Sequence, residues 1–515
     1  MLSIPRSFSA LSMAINALAL SVSMVGMGSV VPSVAVAGPG LPTLGEGADV
    51  SVSAERRLGD SIIRELYRDP DYLDDPVLQD YVQAQWLALL AAARARGELP
   101  PELEEHFAWE VLLGRDRSIN AFALPGGYLG VHLGLLGVVA NRDELASVLA
   151  HELSHVTQRH IARLLTQQNR QTPLLLGTMV LAMLAASKNP QAAQALTVGG
   201  QALAVQNQLN FSRDMEREAD RVGYSLMAPA GFAPQGFVGM FDKLQQANRL
   251  NDNGSWPYLR SHPLTTQRVA DMQARLPLQA AREVLVPTLE HAMLAARARV
   301  LSRPGADMLR QWLAEPRSNG FAQRAPHQQV GAWYAAILAA SQLHEPRQAR
   351  QWLARLQAVV QGDTRARVLA QWLGAEIELA AGDAAAAWQQ LPALGREDRP
   401  GLLLRAQIAL LLGRAPEMVG PLQTWVSTHP RDASAWQALA SISQAQGQTL
   451  RAIRAEAEAH AARYDYAAAI DRFKAGQEWA RKSSSAQDFV EVSIIDTRLR
   501  TVQALAKEQA AAALH

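Results

Sequence analysis

Asp143-Glu-Leu-Ala-Ser-Val-Leu-Ala-His-Glu-Leu-Ser-His-Val156 decides how the chain is read. Apolar residues at Leu145, Val148, Leu149, Leu153 and Val156 recur at helical spacing with no Gly or Pro among them, so the spacing predicts a helix. At about 100° per residue, His151 and His155 lie about 40° apart on one face, which suits two imidazoles reaching one zinc ion. Glu152 sits beside them, placed to take a proton from a water on the metal rather than to bind the metal. A His-Glu-His group buried on so apolar a face without a function would cost several kcal/mol of desolvation.

A third ligand is needed, and the chain can be searched for one. The metzincin arrangement requires Gly at position 158 and His at position 161, but Gln158 and Ile161 stand there. His160 is five residues past His155, about 140° round a continuous helix, and is a poor ligand on that geometry. The better candidate lies in Ser212-Arg-Asp-Met-Glu216-Arg-Glu218-Ala-Asp220. Glu216 and Asp220 share a helical face, where two like charges at i,i+4 repel unless something positive lies against them. A zinc-histidine centre supplies that partner: Glu216 would ligate, and Asp220 would accept the free ring N–H of a ligand histidine. Glu218 is expected to point to nearly the opposite side.

Around this constellation, Asn120-Ala-Phe-Ala-Leu-Pro-Gly-Gly-Tyr-Leu-Gly-Val131 reads as strand, Pro-Gly-Gly turn and strand. The stretch Thr172–Ala186 is apolar for about 14 residues, short of the roughly 20 needed to span a bilayer. It has two readings: a buried or cleft-covering helix, or a surface that touches membrane or client protein.

The full chain has 515 residues, enough for about three domains, or fewer if one is a long helical array. Forty-nine Lys+Arg against 48 Asp+Glu leave no basic excess, which argues against nucleic acid as a partner. Cysteine is absent, so disulfides, thiolate metal sites and cysteine nucleophiles are excluded, and a metal must be held by His, Asp or Glu. At the N-terminus, Arg6, an apolar run from Ala10 to Val31, Pro32 and Ala35-Val36-Ala37 have the order of a secretory signal peptide cleaved before Gly38.

After about Thr288 the chain becomes rich in Ala, Leu, Gln and Arg, in helix-length blocks broken by short turns. His344-Glu345, Gly382-Asp383, Gly413-Arg414 and Gly447-Gln448 follow one another at separations of 38, 31 and 34 residues. That period resembles tetratricopeptide repeats, helical hairpins that stack into a superhelix. An unrelated Ala-rich bundle is the plainer alternative.

HExxH followed about 60 residues later by Glu-x-x-Ala-Asp resembles the zinc peptidase family that contains the CAAX prenyl proteases and HtpX. A secretory signal with C-terminal repeats is similar to a periplasmic branch of that family. The resemblance implies a mainly α protein: an α+β zincin-type metallopeptidase domain with a small β-hairpin or sheet, then an α-solenoid of repeats. The expected division is a signal peptide at 1–37, the peptidase domain at 38–285, repeats at 286–485 and a helical tail at 486–515. One Zn²⁺ per chain would be held by His151, His155 and Glu216, with Glu152 catalytic and Asp220 behind the ligands. By the same resemblance, the hairpin residues Asn120, Ala121 and Phe122 would border the cleft and pair with an extended substrate through main-chain hydrogen bonds, the alternative being a hairpin that only closes the core.

Ser261-His262-Pro263 with Arg268 resembles the family's downstream His-Pro motif. His262 would act in catalysis, as a fourth ligand at rest or as an oxyanion donor when displaced, whereas a loop-capping histidine looks the same in sequence. Arg268 would bind a substrate carbonyl or support the loop. The implied activity is a periplasmic endopeptidase that degrades misassembled outer-membrane β-barrel proteins and assists their assembly, with the assembly machinery bound through the repeats. The alternative is a repeat-based binding module whose zinc site is structural or capped. HtpX-like relatives carry transmembrane helices, from which the short Thr172–Ala186 run departs.

Overall fold

Asn141 starts the central helix, its side chain accepting hydrogen bonds from the backbone N–H groups of Asp143 and Glu144 and so satisfying two donors that a helix start leaves unpaired. In the computed structural model, which describes residues 50–167, 213–249, 255–277, 285–393, 395, 398–482 and 489–512, the unit Ala48–His515 is organised around this helix. The signal-peptide reading and the apolar Thr172–Ala186 run lie outside the described residues.

The N-terminal part runs α1 (Val52–Leu66), β1 (Tyr72–Leu73), α2 (Pro76–Ala95), α3 (Pro101–His106), β2 (Glu110–Gly114), β3 (Ala121–Leu124), β4 (Tyr128–His132) and α4 (Leu133–Val138). It continues through α5 (Arg142–Thr157), α6 (His160–Gln167), α7 (Arg213–Met227), α8 (Gln235–Arg249), α9 (Tyr258–Ser261) and α10 (Thr266–Arg275). Helix α5 carries the HExxH residues and is buried at every position from Glu144 to Thr157, packed by α2, α7, α8 and strand β3. It has no solvent face, so polar side chains on it need partners inside the protein. Gly223 lets α7 approach: a Cβ there would stand 3.0 Å from the carbonyl of Ala150 and 3.1 Å from the nitrogen of His151.

Four strands form a mixed sheet in the order β1-β2-β4-β3. The expected hairpin is present, β3 pairing antiparallel with β4 from Ala121 opposite Val131 to Leu124 opposite Tyr128. Its turn needs left-handed backbone at Gly126 (φ 77°) and Gly127 (φ 81°), which glycine adopts without a Cβ penalty. Strand β2, parallel to β4, is apolar on both faces and lacks the period-2 signal that exposes a strand in sequence. Among the described residues β3 is an edge strand, and it packs against α5 with its Ala123 N–H donating to Glu152.

Thr288 caps α11 (Leu289–Leu301), which packs against both α4 and α13 (Pro326–Gln342), while α12 (Ala306–Ala314) packs on α13. Further helices are α14 (Pro346–Val359), α15 (Thr364–Ala380), α16 (Ala384–Gln390), α17 (Arg399–Leu411), α18 (Val419–Thr428), α19 (Ala433–Ala445), α20 (Thr449–Ala462), α21 (Tyr466–Lys482) and α22 (Phe489–Ala512). His344, Gly382, Gly413, Gly447 and Tyr464 all have positive φ at turns between successive helices, so the four turns read from the sequence are joined by a fifth. One apolar core runs from Val52 to Ile377 without a break at position 286. Arg297 on α11 crosses that position, bonding Asp75 ahead of α2 and Glu376 on α15. The Tyr128 hydroxyl lies 2.6 Å from that of Tyr464, linking the hairpin to the turn before α21. Among the described residues no helix is long and apolar enough to cross a membrane.

Candidate metal centre

Helix α5 brings His151 and His155 one above the other, α7 brings Glu216 against them, and the residue ending α9 brings His262. One donor atom from each lies within 4.8 Å of the other three, and all four side chains are buried. The separations are 3.0 Å from His151 Nε2 to His155 Nε2, 3.2 Å from His151 Nε2 to His262 Nδ1 and 3.4 Å from His151 Nε2 to Glu216 Oε2. Glu216 Oε1 is 3.4 Å from His155 Nε2 and 3.0 Å from His262 Nδ1. Tetrahedral zinc with bonds of about 2.0–2.1 Å spaces its donors by about 3.3–3.4 Å. The cage fits that ion in size and donor type.

A buried oxygen supports the same fit. Glu152 Oε1 accepts no hydrogen bond among the described residues, a costly state that a metal and its water would relieve. Glu152 is otherwise held in place, its Oε2 accepting from the Ala123 backbone N–H of edge strand β3 at 2.9 Å. His262 Nε2 lies 3.4 Å from Glu152 Oε1, so this ring stands between the ligand cage and the carboxylate. The His262 ring stacks on buried Tyr258 with centroids 4.5 Å apart.

Behind the cage, His151 Nδ1 is 2.9 Å from Asp220 Oδ1. Arg268 donates to Asp220 through Nε at 2.6 Å and Nη2 at 2.8 Å, to the Pro263 carbonyl at 2.9 Å, and pairs with Glu216 Oε2 at 2.8 Å. Its guanidinium is therefore committed to two carboxylates and the His-Pro loop inside the protein. Of the two readings of Arg268, a substrate-carbonyl ligand or a support of the loop, these contacts match the second. Asn120 and Ala121 are also buried, and Phe122 lies over the face of the sheet at Gly130, where an added Cβ would meet its ring at 2.2 Å.

The continuous helix assumed for His160 is corrected. Chain direction changes at Arg159, and His160 Nδ1 comes within 2.8 Å of His155 Nδ1 while its Nε2 lies 3.1 Å from Glu218 Oε2. Glu218, expected on the far side of its helix, thus reaches back to the centre through a second histidine. Neither residue had a motif to betray it; only the spacing of a third histidine close to HExxH was a signal.

Charge is arranged to match. Burial works against a proton on His151, but the Glu216 and Asp220 carboxylates outweigh it and push the group up to about 10. Burial holds His155 well below its ordinary value. Glu216 is held well below the usual carboxylate range: burial opposes this, and His262 and His151 overcome it. Without metal, His151 keeps its proton up to about pH 10, and a ligand must be neutral. Zinc loading at pH 7 is therefore expected to release one proton per ion, and affinity to rise about tenfold per pH unit until His151 deprotonates. Titration calorimetry in buffers of different ionisation enthalpy checks this; no proton release would show that His151 is already neutral.

The family model for peptidase family M48 matches residues 78–276, which span the HExxH helix, Glu216, Asp220, His262 and Arg268. The chain is 31% identical over 458 residues to the beta-barrel assembly-enhancing protease of Escherichia coli, covering 87% of this chain and 88% of that one. It is 32% identical over 433 residues to the protein of the same name from Yersinia pestis, covering 81% and 83%. A mitochondrial metalloendopeptidase OMA1 of Arabidopsis thaliana is 30% identical over 195 residues, 38% of this chain and 36% of that one. The match extends beyond the peptidase region into the C-terminal helices, and the buried donor set is the one a zinc peptidase needs: the chain belongs to peptidase family M48 and is a zinc metalloprotease.

Proposed function

We propose that His151, His155 and Glu216 hold the zinc, that Glu152 is the general base, and that the site is closed at rest by His262. The observation that carries this reading is the four-donor cage with Glu152 at its edge and the His262 ring between them. Bound zinc supplies Lewis acidity and a water of lowered pKa. Glu152, fixed by the Ala123 N–H, takes the proton of the attacking water and returns it to the leaving amine. Asp220 fixes the His151 ring, and Arg268 holds the carboxylates of Asp220 and Glu216 in register. The outer edge of β3 is suited to pair with an extended polypeptide beside Glu152.

Four protein donors favour a second state, since catalytic zinc sites keep a position open and structural ones do not. In that state the protein would bind clients without cutting them. The names of its relatives support β-barrel proteins under assembly as those clients. We assign misassembled outer-membrane proteins as substrates, the periplasm as the compartment, and the stacked helices after position 286 as tetratricopeptide-like repeats that recruit the assembly machinery. Chaperone-like help to assembly would belong to the closed state and degradation to the open one.

Removing the fourth donor tests the reading. His262→Ala is expected to keep one zinc per chain by elemental analysis and to raise casein cleavage by the purified chain about tenfold or more, by emptying the position a catalytic site keeps open. Unchanged or lower cleavage with zinc retained would make His262 part of the working site instead of its closure.

A further inference from the structure

We propose that His160 is a positioning residue for the zinc ligand His155, the middle member of a hydrogen-bonded chain that runs from His155 to Glu218 and fixes the tautomer of the ring facing the metal. The inference rests on the zinc assignment above and adds an arm to the site that no motif marks.

The chain exists because α5 stops. Gln158 ends the helix, Arg159 takes left-handed backbone (φ 52°), and α6 begins at His160. A non-glycine residue persists in that conformation where its surroundings over-determine it. Here the Arg159 guanidinium is held by Glu55 Oε2 at 3.2 Å and by the Val50 carbonyl. The break swings the fully buried His160 under His155, with the two Nδ1 atoms 2.8 Å apart.

Two Nδ1 atoms at that distance share one proton, and the rest of the network decides whose it is. His155 Nε2 faces His151 and Glu216, so as a ligand it presents a lone pair there and carries its proton on Nδ1. That N–H donates to His160 Nδ1. The proton of His160 then sits on Nε2 and points to Glu218 Oε2 at 3.1 Å, and Arg163 Nη1 holds Glu218 at 2.9 Å. His151 has the shorter version of the same device, its Nδ1 directly on Asp220. Each ligand histidine is therefore turned by an outer partner, one by a carboxylate and the other by a histidine backed by a carboxylate.

The test measures the zinc dissociation constant of the full mature chain by competition with a chromophoric chelator, with the melting midpoint of the metal-free form as a control for folding. His160→Phe, which removes the acceptor, is expected to weaken zinc binding about 10–100-fold with the metal-free midpoint unchanged. His160→Asn, whose amide oxygen can replace Nδ1 as acceptor, is expected to restore most of the affinity; a purely structural role would not separate the two. Glu218→Ala, at a partly exposed position, is expected to weaken binding several-fold and serves alone if the Phe variant does not fold. Zinc affinity within twofold of wild type in folded His160→Phe, or in Glu218→Ala, overturns the proposal, provided that His155→Ala loses zinc. If His155→Ala keeps its zinc, the ligand assignment itself is what fails.

Discussion

Glu152→Gln is expected to lower peptide cleavage by about 10²–10⁴-fold, the range lost when a general base is removed, while zinc content stays at one per chain. The amide has nearly the shape of the carboxylate and can keep the contact with the Ala123 N–H through its oxygen, so the edge strand should not move. What disappears is the ability to take a proton beside His262 Nε2, 3.4 Å away. Casein or peptide hydrolysis by the purified variant, beside elemental analysis for zinc, checks it. Retained cleavage with zinc bound would remove Glu152 from the proton-transfer role and leave the cage without an assigned base.

Arg297→Met is expected to destabilise the protein by about 3–5 kcal/mol, the cost of leaving buried charge unpaired. Arg297 is buried and bonds Asp75 through Nε at 2.9 Å and Nη2 at 2.6 Å, Glu376 through Nη1 at 2.8 Å and Nη2 at 2.9 Å, and the Tyr334 hydroxyl at 3.2 Å. Asp75 is buried and also caps α2, accepting from the Leu78 N–H, so it cannot swing out to water without uncapping that helix. Denaturant unfolding followed by tryptophan fluorescence measures the loss. Adding Asp75→Asn and Glu376→Gln to the same chain should recover part of it, because the stranded charges are then gone. A loss under 1 kcal/mol in the single variant would mean that water reaches the cluster.

Much of the centre could be read from the chain because its chemistry sits at helical spacings. His151 and His155 at i,i+4, and Glu216 and Asp220 at i,i+4, each share a face on any helix, and a pair of like charges asks for a cation. The structure brings His151, His155 and Glu216 into one cage and sets Asp220 behind it on His151. The turns between the C-terminal helices were equally legible, since Gly382, Gly413 and Gly447 mark left-handed backbone between helices whatever they pack against.

Arg268 and His160 were not legible in the same way. For Arg268 the sequence left a substrate carbonyl and loop support equally open, and only the tertiary structure shows its guanidinium enclosed by Asp220, Glu216 and Pro263. His160 is excluded by helix geometry until Arg159 breaks the helix, and that break depends on Glu55 and Val50, more than a hundred residues away in the chain. Strand β2 escaped notice because a strand buried on both faces has no alternation to detect.

By itself the sequence determined the elements and the donors, because periodicity, turn residues and ligand types are local properties that survive any packing. Only the tertiary structure decided which donors meet: Gly223 admits α7 to the backbone of α5, the His-Pro loop carries His262 into the fourth position, and the kink at Arg159 places His160 behind His155. Those are contacts between segments far apart in the chain, and their geometry is set by packing that no single segment encodes.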